Sequence, residues 1–118
     1  MKTTIAVLAL GLALLGCNER GAQERASEPD GAPLYVDVRT AEEFSGGHVA
    51  GALNIPHDQM QMRYSELEPY RNRRIIVYCR SGRRSEVALA VLREQGFPFV
   101  ENGGAFEALV GSGVRATP

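Results

Sequence analysis

Residues 75–85 read Ile-Ile-Val-Tyr-Cys-Arg-Ser-Gly-Arg-Arg-Ser, and this stretch decides the fold. Its first four residues form a short apolar run with β-branched and aromatic side chains, which is typical of a central strand covered on both faces. A tight loop follows, and then a helix predicted to begin with Ser85 as its N-cap and to run to Gln95, where Gly96 ends it. The predicted buried stripe of that helix is Val87, Ala88, Val91 and Leu92.

The rest of the chain alternates predicted strands and helices without repeats. Residues 34–38 form a second apolar run, which predicts another central parallel strand. Further elements are predicted as a helix at 41–44 capped by Thr40, short helices at 66–70 and 105–110, and a strand at 97–100. This alternation predicts an α/β fold with a mainly parallel central sheet flanked by helices.

Cys79 lies where chemistry is expected in such a fold, immediately after a strand and before a helix. Backbone N–H groups of the loop can converge on one point there, and Gly82 allows the sharp turn. Together with the helix dipole and nearby arginines, these groups favour a thiolate and a lowered cysteine pKa. The alternative is an inert buried cysteine, but three arginines in the next five residues argue against it: Arg80, Arg83 and Arg84.

The loop resembles the active-site loop of the rhodanese family, which commonly reads Cys-Arg-Ser-Gly-x-Arg-Ser and is reproduced at residues 79–85. The resemblance spans roughly residues 34–109, and three motifs in the right order are more specific than one. The other matching segments are Asp37-Val38-Arg39 with Glu43-Phe44, the stretch 47–56, Gly96-Phe97, and 100–104. The chain looks most like the small periplasmic thiosulfate sulfurtransferases of the phage-shock type.

This resemblance implies a rhodanese-like fold and a sulfurtransferase activity. Cys79 would attack the outer sulfur of thiosulfate and carry it as a persulfide, which a thiophilic acceptor such as cyanide or a thiol then removes. The small anionic donor would be bound by Arg80, Ser81, Gly82, Arg83 and Arg84. Among these, Arg80 and Arg83 are the predicted donor contacts, whereas Arg84 is expected to pair with Glu43 or Asp37 and fix the loop.

Asp37, Arg39 and Glu43 are predicted to support the site rather than to react. Asp37 and Arg39 end a strand at the same sheet edge as Cys79, so an ion pair that ties the strand to the loop is the simplest role for them. We therefore expect neither residue to take part directly in catalysis.

No metal or cofactor is expected. His48 and His57 lie in predicted loop with no second cysteine nearby, so they do not form a zinc-type set, and His48 is interpreted as a hydrogen-bonded turn residue. Met60 and Met62 lack a paired cysteine or histidine that would indicate a copper site, and packing is the better interpretation.

Two other function classes compete with sulfur transfer. A cysteine phosphatase or arsenate reductase also uses a cysteine before an anion-binding loop, but its pattern of Cys, five residues and Arg would place arginine where Ser85 stands. A non-catalytic rhodanese-like binding module typically lacks the loop cysteine, whereas this chain keeps Cys79. The charge, 13 basic against 14 acidic residues, does not indicate a nucleic-acid partner.

The amino terminus is predicted to be an export signal. Lys2 precedes an apolar run that is too short to span a bilayer, and residues 1–16 are interpreted as a signal peptide. Its end resembles a lipoprotein lipobox, which implies acylation of Cys17 and anchoring on the periplasmic side of a bacterial membrane; Asn18 favours the outer membrane. The predicted domains are a flexible tether at 17–33, the folded domain at 34–112 and a tail at 113–118.

Overall fold

The computed structural model describes residues 31–118. The predicted signal at 1–16, the lipidation site Cys17 and most of the predicted tether lie outside the described residues. Within residues 31–118, none of the helices has the length and apolar character that crossing a membrane requires.

A four-stranded parallel sheet forms the centre of the domain, in the order β3-β1-β4-β5. Residues 31–118 contain the strands β1 (Leu34–Asp37), β2 (His48–Val49), β3 (Leu53–Asn54), β4 (Ile75–Cys79), β5 (Val100–Ala105) and β6 (Ala116–Thr117). The α-helices are α1 (Ala41–Ser45), α2 (Met60–Arg63), α3 (Arg83–Glu94) and α4 (Phe106–Gly111), with 3-10 turns at His57–Gln59 and Tyr64–Tyr70. The predicted α/β fold with a parallel central sheet is confirmed.

Strand β4 is buried along its whole length because both faces of the sheet are covered. Alternate side chains of the strand enter opposite cores, since successive strand residues point to opposite faces. Val77 and Cys79 join the larger core with Leu92 of α3, whereas Tyr78 enters a smaller core beside Val49. The continuous apolar run at this position therefore correctly predicted a central strand.

Helix α3 begins earlier than the sequence predicted. Its N-cap is Gly82 and not Ser85, which is fully buried inside the first turn. This start rotates the buried stripe of the helix, whose members are Ser85, Ala88, Leu89 and Leu92. Val87, predicted to be buried, is 51% exposed, while Val91 packs at the edge of the core.

The segment after α3 also differs from the prediction. Gly96 does end the helix with φ of +85°, but residues 97–99 are not a strand. Phe97 instead fills the larger core, and β5 starts only at Val100, where that residue pairs with Ile75. A buried aromatic residue in a turn has the same local composition as a strand residue, so the sequence pattern did not separate them.

Residues 113–118, predicted as a tail beyond the domain, contact it. Val114 packs against the smaller core, and strand β6 pairs antiparallel with β2. The pairing places His48 opposite Thr117, so His48 lies in a short strand and not in a loop. The His48 ring stacks on Phe44 with centroids 3.6 Å apart, and its Nδ1 lies 2.9 Å from the Phe44 carbonyl oxygen, so His48 is hydrogen-bonded as predicted.

Candidate active site

A very short loop carries the candidate nucleophile. Cys79 is the last residue of β4 and Arg83 is the first of α3, so only three residues connect the strand to the helix. Gly82 takes φ of +93° and ψ of −12°, a left-handed conformation that L side chains rarely adopt. Glycine at this position thus allows the strand to turn directly into the helix, as the sequence indicated.

The Cys79 thiol lies at the bottom of this loop and is fully buried. The Gly82 N–H donates to its Sγ at 2.9 Å. Burial by itself would raise the pKa of Cys79, but the Ser85 hydroxyl and the N–H groups of Ser85, Ser81 and Gly82 lower it, and the net direction is downward. These donors stabilise a thiolate more than a thiol, which makes Cys79 a candidate nucleophile.

Ser85 has a role that the sequence prediction missed. Its hydroxyl oxygen is buried and has no hydrogen-bond partner of standard geometry among residues 31–118. The hydroxyl proton is therefore free to turn towards the Cys79 sulfur, consistent with its lowering the pKa of Cys79. Because α3 begins at Arg83, Ser85 lies in the first turn beside the sulfur and not at a helix cap.

Arg84 pairs with Glu43, one of its two predicted partners. Its Nη1 and Nη2 donate to the two Glu43 carboxylate oxygens at 2.8 Å and 3.1 Å. Glu43 is held in place by a capping box, in which its N–H donates to the Thr40 hydroxyl and its carboxylate accepts from the Thr40 N–H. The bond from Arg84 is the main reason that the pKa of Glu43 falls to about 2.

Asp37 pairs with Arg39 and not with Arg84. The Arg39 Nε and Nη2 donate to the Asp37 carboxylate at 2.9 Å and 2.6 Å, and Nη2 also donates to the Gly47 carbonyl at 2.7 Å. Both residues are buried, and the guanidinium lies 4.5 Å from the centre of the Phe106 ring. The expected tie between strand and cysteine loop is therefore wrong, because the pair joins the end of β1 to the turn at Gly47.

A cavity of about 390 Å³ lies against the cysteine loop at Arg80. Its lining consists of Arg39, Glu43, Gly46, Gly47, Arg80, Phe106 and Glu107. Cys79 is not part of this lining, but Arg80, the next residue along the loop, is. The Arg80 side chain is 71% exposed and its Nε lies 3.7 Å from a Glu43 carboxylate oxygen.

The structure separates the two arginines predicted as donor contacts. Arg80 lines the cavity, whereas Arg83 is exposed in the first turn of α3 and is not among the lining residues. Phe106 and Glu107 belong to the cavity although no sequence pattern singled them out. They reach it because Ala105 pairs with Cys79 across the sheet, which brings the start of α4 beside the loop.

The comparisons with known proteins agree on one family. The rhodanese-like domain family matches residues 22–108. Thiosulfate sulfurtransferase PspE of Escherichia coli (strain K12) is 38% identical over 76 residues, which cover 64% of this chain and 73% of that protein. A sulfurtransferase of Allochromatium vinosum is 41% identical over 69 residues, covering 58% of this chain; the chain thus spans just under two thirds, 63%, of that relative.

The same similarity is found among solved structures. A structure described as a rhodanese with anions from E. coli superposes with a TM-score of 0.65 at 34% sequence identity. The superposition covers 73% of this chain and 98% of that one. The similarity therefore extends over nearly the whole of that solved chain.

Proposed function

The chain belongs to the rhodanese-like domain family, and we propose that it is a thiosulfate sulfurtransferase that carries sulfur as a persulfide on Cys79. The observation that supports this most directly is the buried Cys79 thiol, which accepts the Gly82 N–H at 2.9 Å and has a lowered pKa. A thiolate fixed in this way is a nucleophile that needs no separate base.

The proposed reaction has two steps. The Cys79 thiolate attacks the outer sulfur of thiosulfate, the sulfur–sulfur bond of the donor breaks, and sulfite leaves with the bonding electron pair. An acceptor then attacks the terminal sulfur of the persulfide and regenerates the thiolate. Cyanide would leave as thiocyanate, and a thiol would leave as its own persulfide.

The loop would stabilise the charged states of both steps. The N–H groups of Ser81, Gly82 and Ser85 lower the pKa of Cys79, so they interact favourably with negative charge at the sulfur position. Arg80 in the cavity lining is the proposed partner for the sulfonate oxygens of the donor. The anions named in the description of the E. coli rhodanese structure support a donor of this charge.

A phosphatase reaction is less well supported by the same geometry. Phosphate ester chemistry needs an arginine that faces the bound phosphoryl oxygens. Arg84, the nearest candidate, has both terminal nitrogens bound to Glu43. The Arg84 guanidinium is therefore held by Glu43, and the loop presents backbone N–H groups to a ligand at the sulfur.

The activity is tested by thiocyanate formation from thiosulfate and cyanide with purified protein that lacks residues 1–16. We expect ping-pong kinetics, because sulfite leaves before the acceptor binds. Thiocyanate formation that requires both substrates to be bound together would contradict a persulfide intermediate.

Replacement of Arg80 tests the proposed donor site. Arg80→Ala is expected to raise KM for thiosulfate about fivefold with a smaller change in kcat, since one charge-assisted contact is lost. Arg83→Ala is the matched control, because Arg83 belongs to the same segment but is exposed outside the cavity. A rise in KM of the same size in both variants would show that only the general positive charge matters.

We also propose that the domain is tethered to a membrane from the periplasmic side through lipid on Cys17. The support is the predicted signal at residues 1–16 and the polar, proline-containing stretch that follows Cys17. Cys17→Ser is expected to move the protein from the membrane fraction to a soluble or uncleaved form without loss of sulfurtransferase activity. Parent protein found only in the soluble fraction would contradict the anchor.

A further inference from the structure

The side chain of Asn102 connects strand β5 to the cysteine loop. Its Nδ2 donates to the Gly82 carbonyl oxygen at 3.1 Å and to a Glu86 carboxylate oxygen at 2.8 Å. Its Oδ1 accepts the Gly104 N–H at 2.8 Å. Both ends of the amide group are therefore engaged, and these contacts fix its orientation.

A bulge in β5 aims this side chain at the loop. Val77 pairs with Asn102 but the next residue, Tyr78, pairs with Gly104, so Gly103 is an extra residue in the ladder. A β-bulge of this kind redirects the neighbouring side chains. Gly103 has no space for a side chain, because a Cβ atom there would lie 2.6 Å from a methyl carbon of Ile76.

The glycines also bring the strand and the loop into contact. Gly104 takes φ of +81°, a left-handed conformation, and a Cβ atom on Gly82 would lie 3.6 Å from the Gly104 Cα. The bulge therefore lies directly against the loop that holds the sulfur, which explains how a short asparagine side chain reaches the Gly82 carbonyl.

Gly82 is held on both sides by these contacts. Its N–H donates to the Cys79 sulfur at 2.9 Å, while its carbonyl accepts from Asn102 and from the Glu86 N–H at 3.2 Å. A glycine has wide backbone freedom, so an unrestrained Gly82 would sample orientations in which the N–H leaves the sulfur. Restraint of the carbonyl limits that sampling.

We propose that Asn102 is a positioning residue that keeps the Gly82 N–H directed at the cysteine sulfur. Its effect on sulfur transfer rests on the proposed function, whereas its effect on the thiol itself does not. Asn102 is uncharged, so its replacement by alanine removes none of the charged groups around the loop. These groups are Arg80, Arg83 and Arg84, with Glu86 on α3, Glu43 on α1, Glu107 on α4 and the Asp37–Arg39 pair at the end of β1.

The test measures the rate of Cys79 alkylation by iodoacetamide as a function of pH. In Asn102→Ala the titration midpoint of the thiol is expected to move to higher pH, and the alkylation rate at pH 7 to fall about threefold or more. Thiocyanate formation is expected to lose about tenfold in kcat/KM, because a small displacement of a catalytic donor has large kinetic effects. Glu101→Gln is the control, since Glu101 is the adjacent β5 residue and its carboxylate pairs with Arg74.

Asn102→Asp provides a second variant of nearly identical shape. It keeps an acceptor for the Gly104 N–H but loses the donor to Gly82, so the bulge is retained while the loop contact is lost. An upward shift of the titration midpoint in both variants, absent in Glu101→Gln, supports the proposal. An unchanged midpoint in Asn102→Ala overturns it, and so does a shift confined to Asn102→Asp, which the added charge alone would produce.

The two readouts separate this proposal from the proposed function. The alkylation arm requires only a thiol, so it tests the position of the Gly82 N–H even if the parent protein forms no thiocyanate. Parent protein that forms no thiocyanate, together with a shifted thiol titration in Asn102→Ala, would reject the sulfurtransferase reaction and retain the positioning role.

Discussion

Reduced protein mixed with thiosulfate is expected to gain the mass of one sulfur atom on Cys79, and the Cys79→Ser variant is expected to gain none. The loop offers several N–H donors to the sulfur position, and these are expected to stabilise an anionic persulfide without rearrangement. Cys79 is the only cysteine among the described residues, so no neighbouring thiol of the domain can resolve the persulfide. The added sulfur should therefore persist until an acceptor is supplied.

The measurement is intact-protein mass spectrometry before and after addition of cyanide, which should remove the added mass and yield thiocyanate. Cys79→Ser should remain folded, because a serine hydroxyl fits the same buried position and can accept the Gly82 N–H. Turnover in this variant should be lost, a decrease of several orders of magnitude. Hydrolysis of an aryl phosphate through Cys79 would favour a phosphatase. If the reduced protein catalyses neither reaction, the domain is a binding module.

The second large effect is expected at Arg84. Arg84→Ala removes a two-bond ion pair whose side chains are about one quarter exposed, and it leaves the Glu43 carboxylate without its main partner. After allowance for solvent screening, we expect a loss of about 1–2 kcal/mol in the free energy of unfolding. That corresponds to a fall in Tm of about 5–10 °C for a domain of this size. Activity should also fall, because the pair joins the cysteine loop to α1.

Arg83→Ala is the matched comparison for stability, since it removes an exposed arginine one position away. Its Tm should stay within about 2 °C of the parent value. Equal Tm values for the parent and both variants would show that the Arg84–Glu43 pair does not hold the loop.

The pH dependence of stability gives an independent check on the same pair. Glu43 has a pKa of about 2 in the folded protein against an ordinary value of 4.5, so its contribution is complete above pH 4.5 and is lost as the pH falls towards 2. Arg84→Ala lacks most of this contribution at every pH. The stability difference between parent and variant should therefore shrink below pH 4.5, which denaturant titrations at several pH values would measure.

Several features of the molecule were predictable from local sequence. The apolar runs before Asp37 and Cys79 predicted buried parallel strands, because such composition is typical of strands covered on both faces. Thr40 correctly predicted the N-cap of a short helix, and the capping box that it forms with Glu43 was seen only in the structure. Gly82 specified the turn between strand and helix, since that turn requires positive φ. The sequence also limited the partner of Arg84 to Glu43 or Asp37, and the structure shows Glu43.

Other features depend on contacts between distant segments and had no local signal. The burial of Ser85 and the exposure of Val87 follow from the exact start of α3, which Gly82 and its contact with β5 decide. A shift of the helix start changes which side chains face the sheet, because each residue turns the helix by about 100°. The spacing of apolar residues alone did not determine which side of α3 faces the sheet.

The sequence by itself determined the fold class, the cysteine loop and the family to which the chain belongs, because strand composition, turn glycines and loop spacing are local properties. Only the tertiary structure decided how Asn102, Phe106 and Glu107 meet the loop and that Arg80, not Arg83, lines the cavity. Asn102, Phe106 and Glu107 are brought to the site by the parallel pairing of β4 with β5 and by one bulge in that pairing. Such a register is set by packing across the sheet, which no short stretch of sequence contains.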